Sequence, residues 1–365
     1  MTRIARLLLA PSLLVSTFAV TAAADVLTLT DGEVLSDVTI VAQGLLQTTY
    51  EKGGDEQTID SERILHVRID TLPDDLDEAE AALREEDPIA ALELLDAFVE
   101  ENRERVRGRT AKWAPAHAAW RAIEIRRGLS DADGVIATAK VLLETWPESR
   151  YAPQAFLAKA EYESRKGDGG ASEATLVALD DLARDKGLKR WELASRLARL
   201  RNADRAPAEM REAFQNLASS ASKYPTVRAL ARASEAETFL TEAESAQLAE
   251  AAALRKQAGE LFEQVVADPK ADGRALAAAH TGLAECLFFD GAASDDQDVL
   301  QAAALHGLRV AVSYRDETDY LPKALFYAFR SFDVRKDRGR KQDMLSELEA
   351  LFPDSSWTEQ ARQFR

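Results

Sequence analysis

The residues of this chain that could do chemistry are four histidines, one cysteine and an excess of carboxylates. His66, His117, His280 and His306 lie far apart, with no His-Glu-x-x-His pair and no cysteine at ligand spacing, so no metal site is expected. Cys286 sits in the apolar stretch Leu283-Ala284-Glu285-Cys286-Leu287-Phe288 and reads as a buried small hydrophobe. As the sole cysteine it cannot form an internal disulfide, so the fold must rest on its apolar core. Gly167-Asp168-Gly169-Gly170 has no following Gly-Lys-Ser/Thr and reads as a turn between helices. Ser130-Asp131-Ala132-Asp133-Gly134 lacks the third acidic ligand and the closing Glu of a calcium loop. A Gly-x-Ser-x-Gly elbow is missing too, and carboxylates are too numerous for any pair to stand out as general acid and base. The expectation is a protein with no catalytic residue, no cofactor and no metal, and so not an enzyme.

Two basic runs stand against an acidic background of 63 Asp and Glu to 46 Lys and Arg, a net charge of -17. One is Arg103, Arg105, Arg107 and Arg109; the other runs from Lys186 to Arg205. On a helix near 189–201, Lys189, Arg196 and Arg199 share one face, while Trp191, Ala194 and Ala198 share another. Lys189, Arg190, Arg196 and Arg199 are the candidate partner surface, suited to an acidic peptide or glycan. Arg335, Lys336, Arg338, Arg340 and Lys341 cluster at an expected loop around Gly339. Nucleic acid is excluded as a partner, because phosphate needs a basic surface to meet it.

Residues 1–24 read as a secretory signal peptide: Arg3 and Arg6, an apolar stretch from Leu7 to Val20, then Ala22-Ala23-Ala24 before Asp25. The apolar run is shorter than the roughly 20 residues a membrane span needs. Removal of the leader takes away two positive charges, from -17 to -19. The mature protein is expected to be exported, periplasmic or secreted, without a membrane span.

From residue 25 to 70 the apolar period is two. Val26, Leu27 and Leu29 precede the turn Asp31-Gly32; Val38, Ile40 and Val41 follow, then Leu45 to Tyr50, the turn Gly53-Gly54, and Ile64, Val67 and Ile69. Five short strands in this length fit a small β-barrel-like module. Residues 71–75 form an acidic linker. From residue 76 to 365 the period becomes 3.6, interrupted by Gly, Asp and Pro. The clearest hairpin sets Ala155, Ala158 and Tyr162 on one helix against Ala171, Ala174, Ala178 and Leu182 on the next.

An aromatic residue followed by Pro and then Ser or Thr recurs along the helical part. It reads Trp146-Pro147-Glu148-Ser149, Tyr224-Pro225-Thr226 and Phe352-Pro353-Asp354-Ser355, with Asp268-Pro269 a weaker copy. The prolines lie near multiples of ~40 residues, the sign of stacked helical hairpins. Proline stops a helix, a later Ser or Thr caps the next, and the aromatic is expected to wedge between hairpins.

These residues resemble the tetratricopeptide repeat family in its bacterial envelope form, although Lys341 stands where the family prefers Ala and the spacing exceeds the family's roughly 34 residues. The strand pattern at 25–70 resembles the Src-homology-3-like barrels that follow signal peptides in exported bacterial proteins. The expected fold is mainly α, a solenoid of about seven helical hairpins behind a small all-β domain. What the resemblance implies is a scaffold or adaptor binding a protein or peptide, in envelope assembly, cell-division coordination or export. The alternative is a cell-wall or polysaccharide-binding protein that uses the β module.

Overall fold

The computed structural model describes residues 24–104 and 111–365. The expected leader, but for Ala24, lies outside the described residues, as do Arg105, Arg107 and Arg109 of the first basic run.

Five strands come first: β1 (Asp25–Leu29), β2 (Val34–Gln43), β3 (Gln47–Lys52), β4 (Asp55–Asp60) and β5 (Ile64–Arg68). They form one antiparallel sheet in the order β4-β3-β2-β1-β5, and a single 3-10 turn at Ser61–Arg63 carries the chain from β4 to β5. The period of two buries Leu27 and Leu29 of β1, Val38 and Ile40 of β2 and Ile64 of β5. β2 is long enough to pair with β1 along its first half and β3 along its second, with a register shift in each pairing. Asp25 is buried, and its carboxylate accepts the backbone amides of Ile40 at 2.8 Å and Asp70 at 2.9 Å. One side chain thereby ties the first strand to β2 and to the exit of the sheet.

Helices follow: α1 (Asp74–Arg84), α2 (Pro88–Glu101), α3 (Ala114–Gly128), α4 (Ala132–Thr145) and α5 (Ala152–Arg165). Next come α6 (Gly169–Lys186), α7 (Lys189–Arg201), α8 (Pro207–Ser220), α9 (Pro225–Ser245) and α10 (Leu248–Ala267). The last are α11 (Gly273–Ser294), α12 (Gln297–Ser313), α13 (Leu321–Val334), α14 (Arg338–Leu351) and α15 (Ser356–Arg362). Consecutive helices pair as hairpins from α1/α2 to α13/α14, first helices also touch the first helix of the next hairpin, and α15 packs on α13 and α14. The molecule is thus the expected α-solenoid preceded by a small β domain.

Five hairpins turn through the same pair of residues. Glu86, Ser130, Gly167, Asp295 and Lys336 have positive φ, and each is followed by an Asp: Asp87, Asp131, Asp168, Asp296 and Asp337. Each Asp amide donates back five residues, to Ala82, Arg126, Glu163, Gly291 and Phe332 respectively, which satisfies a carbonyl left open at the helix end. Its side chain then accepts from an amide in the first turn of the next helix. The calcium-loop-like segment at 130–134 and the glycine cluster at 167–170 are two of these turns. The basic cluster near 335–341 surrounds another, so the turn lies at Lys336-Asp337 and not at Gly339, which belongs to α14.

The aromatic-Pro copies divide into two roles. Trp146 and Phe352 close α4 and α14 with nearly the same backbone, φ -128 and ψ 56 against φ -137 and ψ 55. Tyr314 closes α12 in the same way without a proline, at φ -135 and ψ 37. Tyr224-Pro225 departs from the expectation: it opens α9, with Pro225 in the first turn, and Ala221 ends α8. Proline suits a first turn, where its missing N–H has no partner to lose, so the same dipeptide serves at either end of a loop. Trp146 is half-buried against the core of the first hairpins, and Phe352 packs on that of the last.

The sheet does not stand apart from the helices. Leu27, Ile40, Tyr50 and Ile64 share one continuous core with Leu76, Leu95, Phe98, Ile123 and Tyr162. Leu45, from the turn between β2 and β3, enters a second core with Leu179, Leu188 and Trp191.

Candidate functional site

The solenoid closes back on itself through side chains. Arg274, at the start of α11, donates to Glu161 of α5 at 2.7 Å and to Asp319, before α13, at 2.5 Å. Arg165 of α5 joins Glu161 at 2.7 Å, Thr318 at 3.3 Å and also Asp319. Arg127 of α3 lies 3.8 Å from Glu317 and 4.0 Å from Glu161. Burial acts to raise the Glu161 pKa, but Arg274, Arg127 and Arg165 outweigh it and bring it down to about 2. Burial dominates instead at Glu317, whose carboxyl is raised despite Arg274 and Arg127.

Inside this clasp, first helices enclose a chamber of about 470 Å³. Leu157, Trp191, Leu197, Val227 and Leu230 supply apolar wall; Arg190, Arg201, Glu237, Asp272, Tyr320 and Lys323 supply polar wall. α7 contributes through Arg190, Ala194, Leu197 and Arg201, spaced 4, 3 and 4, which is one helical face. Burial raises the Asp272 carboxyl above its usual range, although its oxygen caps α11 by accepting from Ala275 at 3.0 Å.

Of the four arginines and lysines expected on the partner surface, Arg190 stands apart. It is 8% exposed and donates from Nη1 to the carbonyls of Glu62 at 2.9 Å and Ile64 at 3.3 Å, which anchors the end of the sheet to α7. Burial, and then Arg150, lower its pKa to about 10 against the pull of Asp272 and Glu62. The sheet is held from the other side by Leu45 N–H to the Glu148 carbonyl at 2.6 Å and Tyr151 Oη to Gln43 Oε1 at 2.7 Å. His117 lies beneath that contact, 2.9 Å from Tyr151 Oη; burial, with Arg121 and Arg150, pushes it down to about 3, so it is a neutral buried imidazole.

Lys189, Arg196 and Arg199 are exposed. Lys189 pairs with Glu192 at 2.7 Å at one end of α7. Arg196 and Arg199 line a second cavity of about 560 Å³ with Glu173, Asn202 and Arg205. It lies where the hairpin pattern is weakest: α7 packs chiefly on α6, α8 on α9, and α7 and α8 touch little. Arg199 is bonded to Glu173 at 2.8 Å, whereas Arg196 and Arg205 have no acidic partner among the described residues.

The remaining chemistry-bearing residues form no further site. His280 and His306 face each other with Nδ1 atoms 2.9 Å apart; burial, then His306 and Arg309, push His280 down to about 4. No group of three His, Cys, Asp or Glu that could hold a metal occurs among the described residues. Cys286 is buried, and its thiol is pushed up to about 12 by that burial and by Glu285.

Of the chamber residues, Glu237, Asp272 and Arg274 were not singled out in the sequence, and Arg201 fell in the second basic run without a place on the partner surface. The signal that could have found Arg201 is its place on the stripe of Trp191, Ala194 and Ala198, since small residues mark the side that neighbouring helices approach.

No family model matches the sequence, and no curated protein matches it. Among solved structures it is similar to the crystal structure of PilW, a widely conserved type IV pilus biogenesis factor, at 14% identity over 79% of this chain and 96% of that one. The TM-score is 0.31.

Proposed function

We propose that this protein is an exported, non-enzymatic scaffold that holds an acidic polypeptide segment in the cleft between α7 and α8. The observation behind this reading is the set Arg196, Arg199 and Arg205 around one cavity, with only Arg199 engaged by a carboxylate. In a chain of net charge -17, grouped arginines without acidic partners are an exception, and they suit carboxylates brought by another molecule. Lys189, paired with Glu192 at the start of α7, does not line that cavity, and Arg190 serves the sheet. The likeness of the hairpins to tetratricopeptide repeats agrees with a protein-binding role, and the leader-like first residues agree with one in envelope assembly. The cell-wall-binding alternative has no comparable observation, since the sheet shares its core with α1–α5.

The test is site-specific photo-crosslinking in intact cells. A crosslinker at position 196 or 205 should trap an exported protein, and one at exposed position 336 should not. Arg199→Glu should abolish the adduct. Equal adducts at 196 and 336, or adducts indifferent to Arg199→Glu, would reject the cleft as the binding site.

A further inference from the structure

We infer that the chamber is a separate ligand site, in which Arg201 and Glu237 grip the carboxylate and the ammonium of a small zwitterion with an apolar body, an α-amino acid or a short peptide. This does not depend on the acidic-partner reading, which concerns the α7–α8 cleft.

Arg201 ends α7, and Glu237 lies on α9, the first helix of the next hairpin, which touches α7. Both helices are first members of hairpins, so they run the same way. Arg201 stands eleven residues beyond Arg190, and Glu237 eleven beyond Thr226, all four lining the chamber. Tyr320 feels the charge of both Arg201 and Glu237, which places the two on neighbouring parts of the chamber wall.

The two charges do not meet. Arg201 donates once, from Nη1 to Tyr320 Oη at 2.6 Å. Its other N–H groups have no acceptor, and the Glu237 carboxylate has no donor or ion-pair partner, among the described residues. Burial tends to lower the Arg201 pKa, while Tyr320 and Glu237 outweigh it and raise it, so the guanidinium does feel the carboxylate.

Neighbouring charges are already committed. Lys323 pairs with Glu285 at 2.7 Å and Asp319 with Arg274 at 2.5 Å. Opposite charges left apart in a partly desolvated wall gain from a group that bridges them. A guanidinium suits a carboxylate, a carboxylate suits an ammonium, and the pair together is neutral, which favours a zwitterion over a simple anion or cation. Leu197, Val227 and Leu230 offer the apolar body a place on the same wall.

Isothermal titration of the mature chain with L-leucine and with the dipeptide Leu-Leu tests the site. Saturable binding of either is expected, and the tighter of the two identifies amino acid or peptide as the ligand. Leucinamide, without the carboxylate, and N-acetyl-leucine, without the ammonium, should each bind at least about ten-fold more weakly than leucine. Glu237→Gln should weaken leucine or Leu-Leu by about the same factor with little change in the unliganded melting temperature, since the Glu237 side chain has no hydrogen-bond or ion-pair partner among the described residues. Arg201→Gln should do likewise, with some loss of stability from the Tyr320 bond. Absence of binding by both ligands at millimolar concentration, or equal binding of the blocked analogues, overturns the inference. Crosslinking at position 196 is unaffected by either result.

Discussion

Hairpins that turn through a positive-φ residue and an Asp contrast with the two that do not, α7/α8 and α9/α10. The first group uses a turn that closes one helix and caps the next, and its helices pack along their length, as α9 and α10 also do, whereas α7 and α8 touch little. In the second group, α8 starts after Ala206 and α10 after Gln247, both in extended backbone and without a side-chain cap. Both cavities draw on this second group: α7 lines each of them, and α9 lines the chamber. The regular turns build a frame, and both spaces for another molecule open beside α7, whose hairpin lacks the Asp turn and packs thinly.

The clasp that closes the irregular middle should be the most sensitive element. Glu161→Gln leaves Arg127, Arg165 and Arg274 short of a buried counter-charge and should cost about 3–5 kcal/mol in urea unfolding. A loss below about 1 kcal/mol would mean the two halves of the solenoid hold their places without it.

Acid should act first through histidines buried in the regular hairpins α3/α4 and α11/α12. His117 is held neutral with a pKa of about 3 against the usual 6.5, so the unfolded chain takes up a proton before the folded one does. Its contribution is whole above pH 6.5 and is lost as pH falls, by up to about 1.4 kcal/mol per pH unit. Glu161, at about 2 against 4.5, adds a loss below pH 4.5. Melting temperature followed against pH should decline from 6.5 downward; His280, held down at about 4, acts in the same window, so His117→Gln should lessen the decline between 6.5 and 4.5, and His117→Gln with His280→Gln should flatten it. A profile flat to pH 4.5 in the native protein would show that His117 is not buried neutral.

The aromatic-Pro copies allow a finer comparison. Trp146→Ala strips a half-buried ring from the core of the first hairpins and should cost about 2 kcal/mol. Tyr224→Ala, at a helix start, should cost less than half of that, and equal losses would restore the view that both are wedges. Smaller still, Asp168→Ala and Asp337→Ala should each cost about 1 kcal/mol as lost caps. An effect within experimental error at both would remove the Asp turn from the account of regularity.

Much of this architecture was legible in the chain. The change of period near residue 70 marked where strands give way to helices. Gly167 was readable as a turn, and the Gly, Asp and Pro interruptions of the helical period as helix ends, because each acts through its own backbone and the next few residues. The Asp turn as a repeat was less visible, because Glu86, Ser130, Asp295 and Lys336 are all polar but share neither charge nor size. Tyr314 was missed because the cap it makes needs no proline. The role of Arg190 was not legible, because its partners Glu62 and Ile64 lie more than a hundred positions away, and a helical arginine that anchors a sheet looks like one that meets solvent.

What the sequence alone determined is local and periodic: a β head, a train of helices, their stops and the sites of their turns. These depend on interactions within a few residues, so composition and spacing suffice to specify them. Only the tertiary structure decided that α5 would meet α11 through Glu161 and Arg274, that the sheet would join the core of the early hairpins, and that Arg201 and Glu237 would line one chamber without pairing. Such outcomes come from small angles accumulated over successive hairpins, and no single stretch of chain encodes their sum.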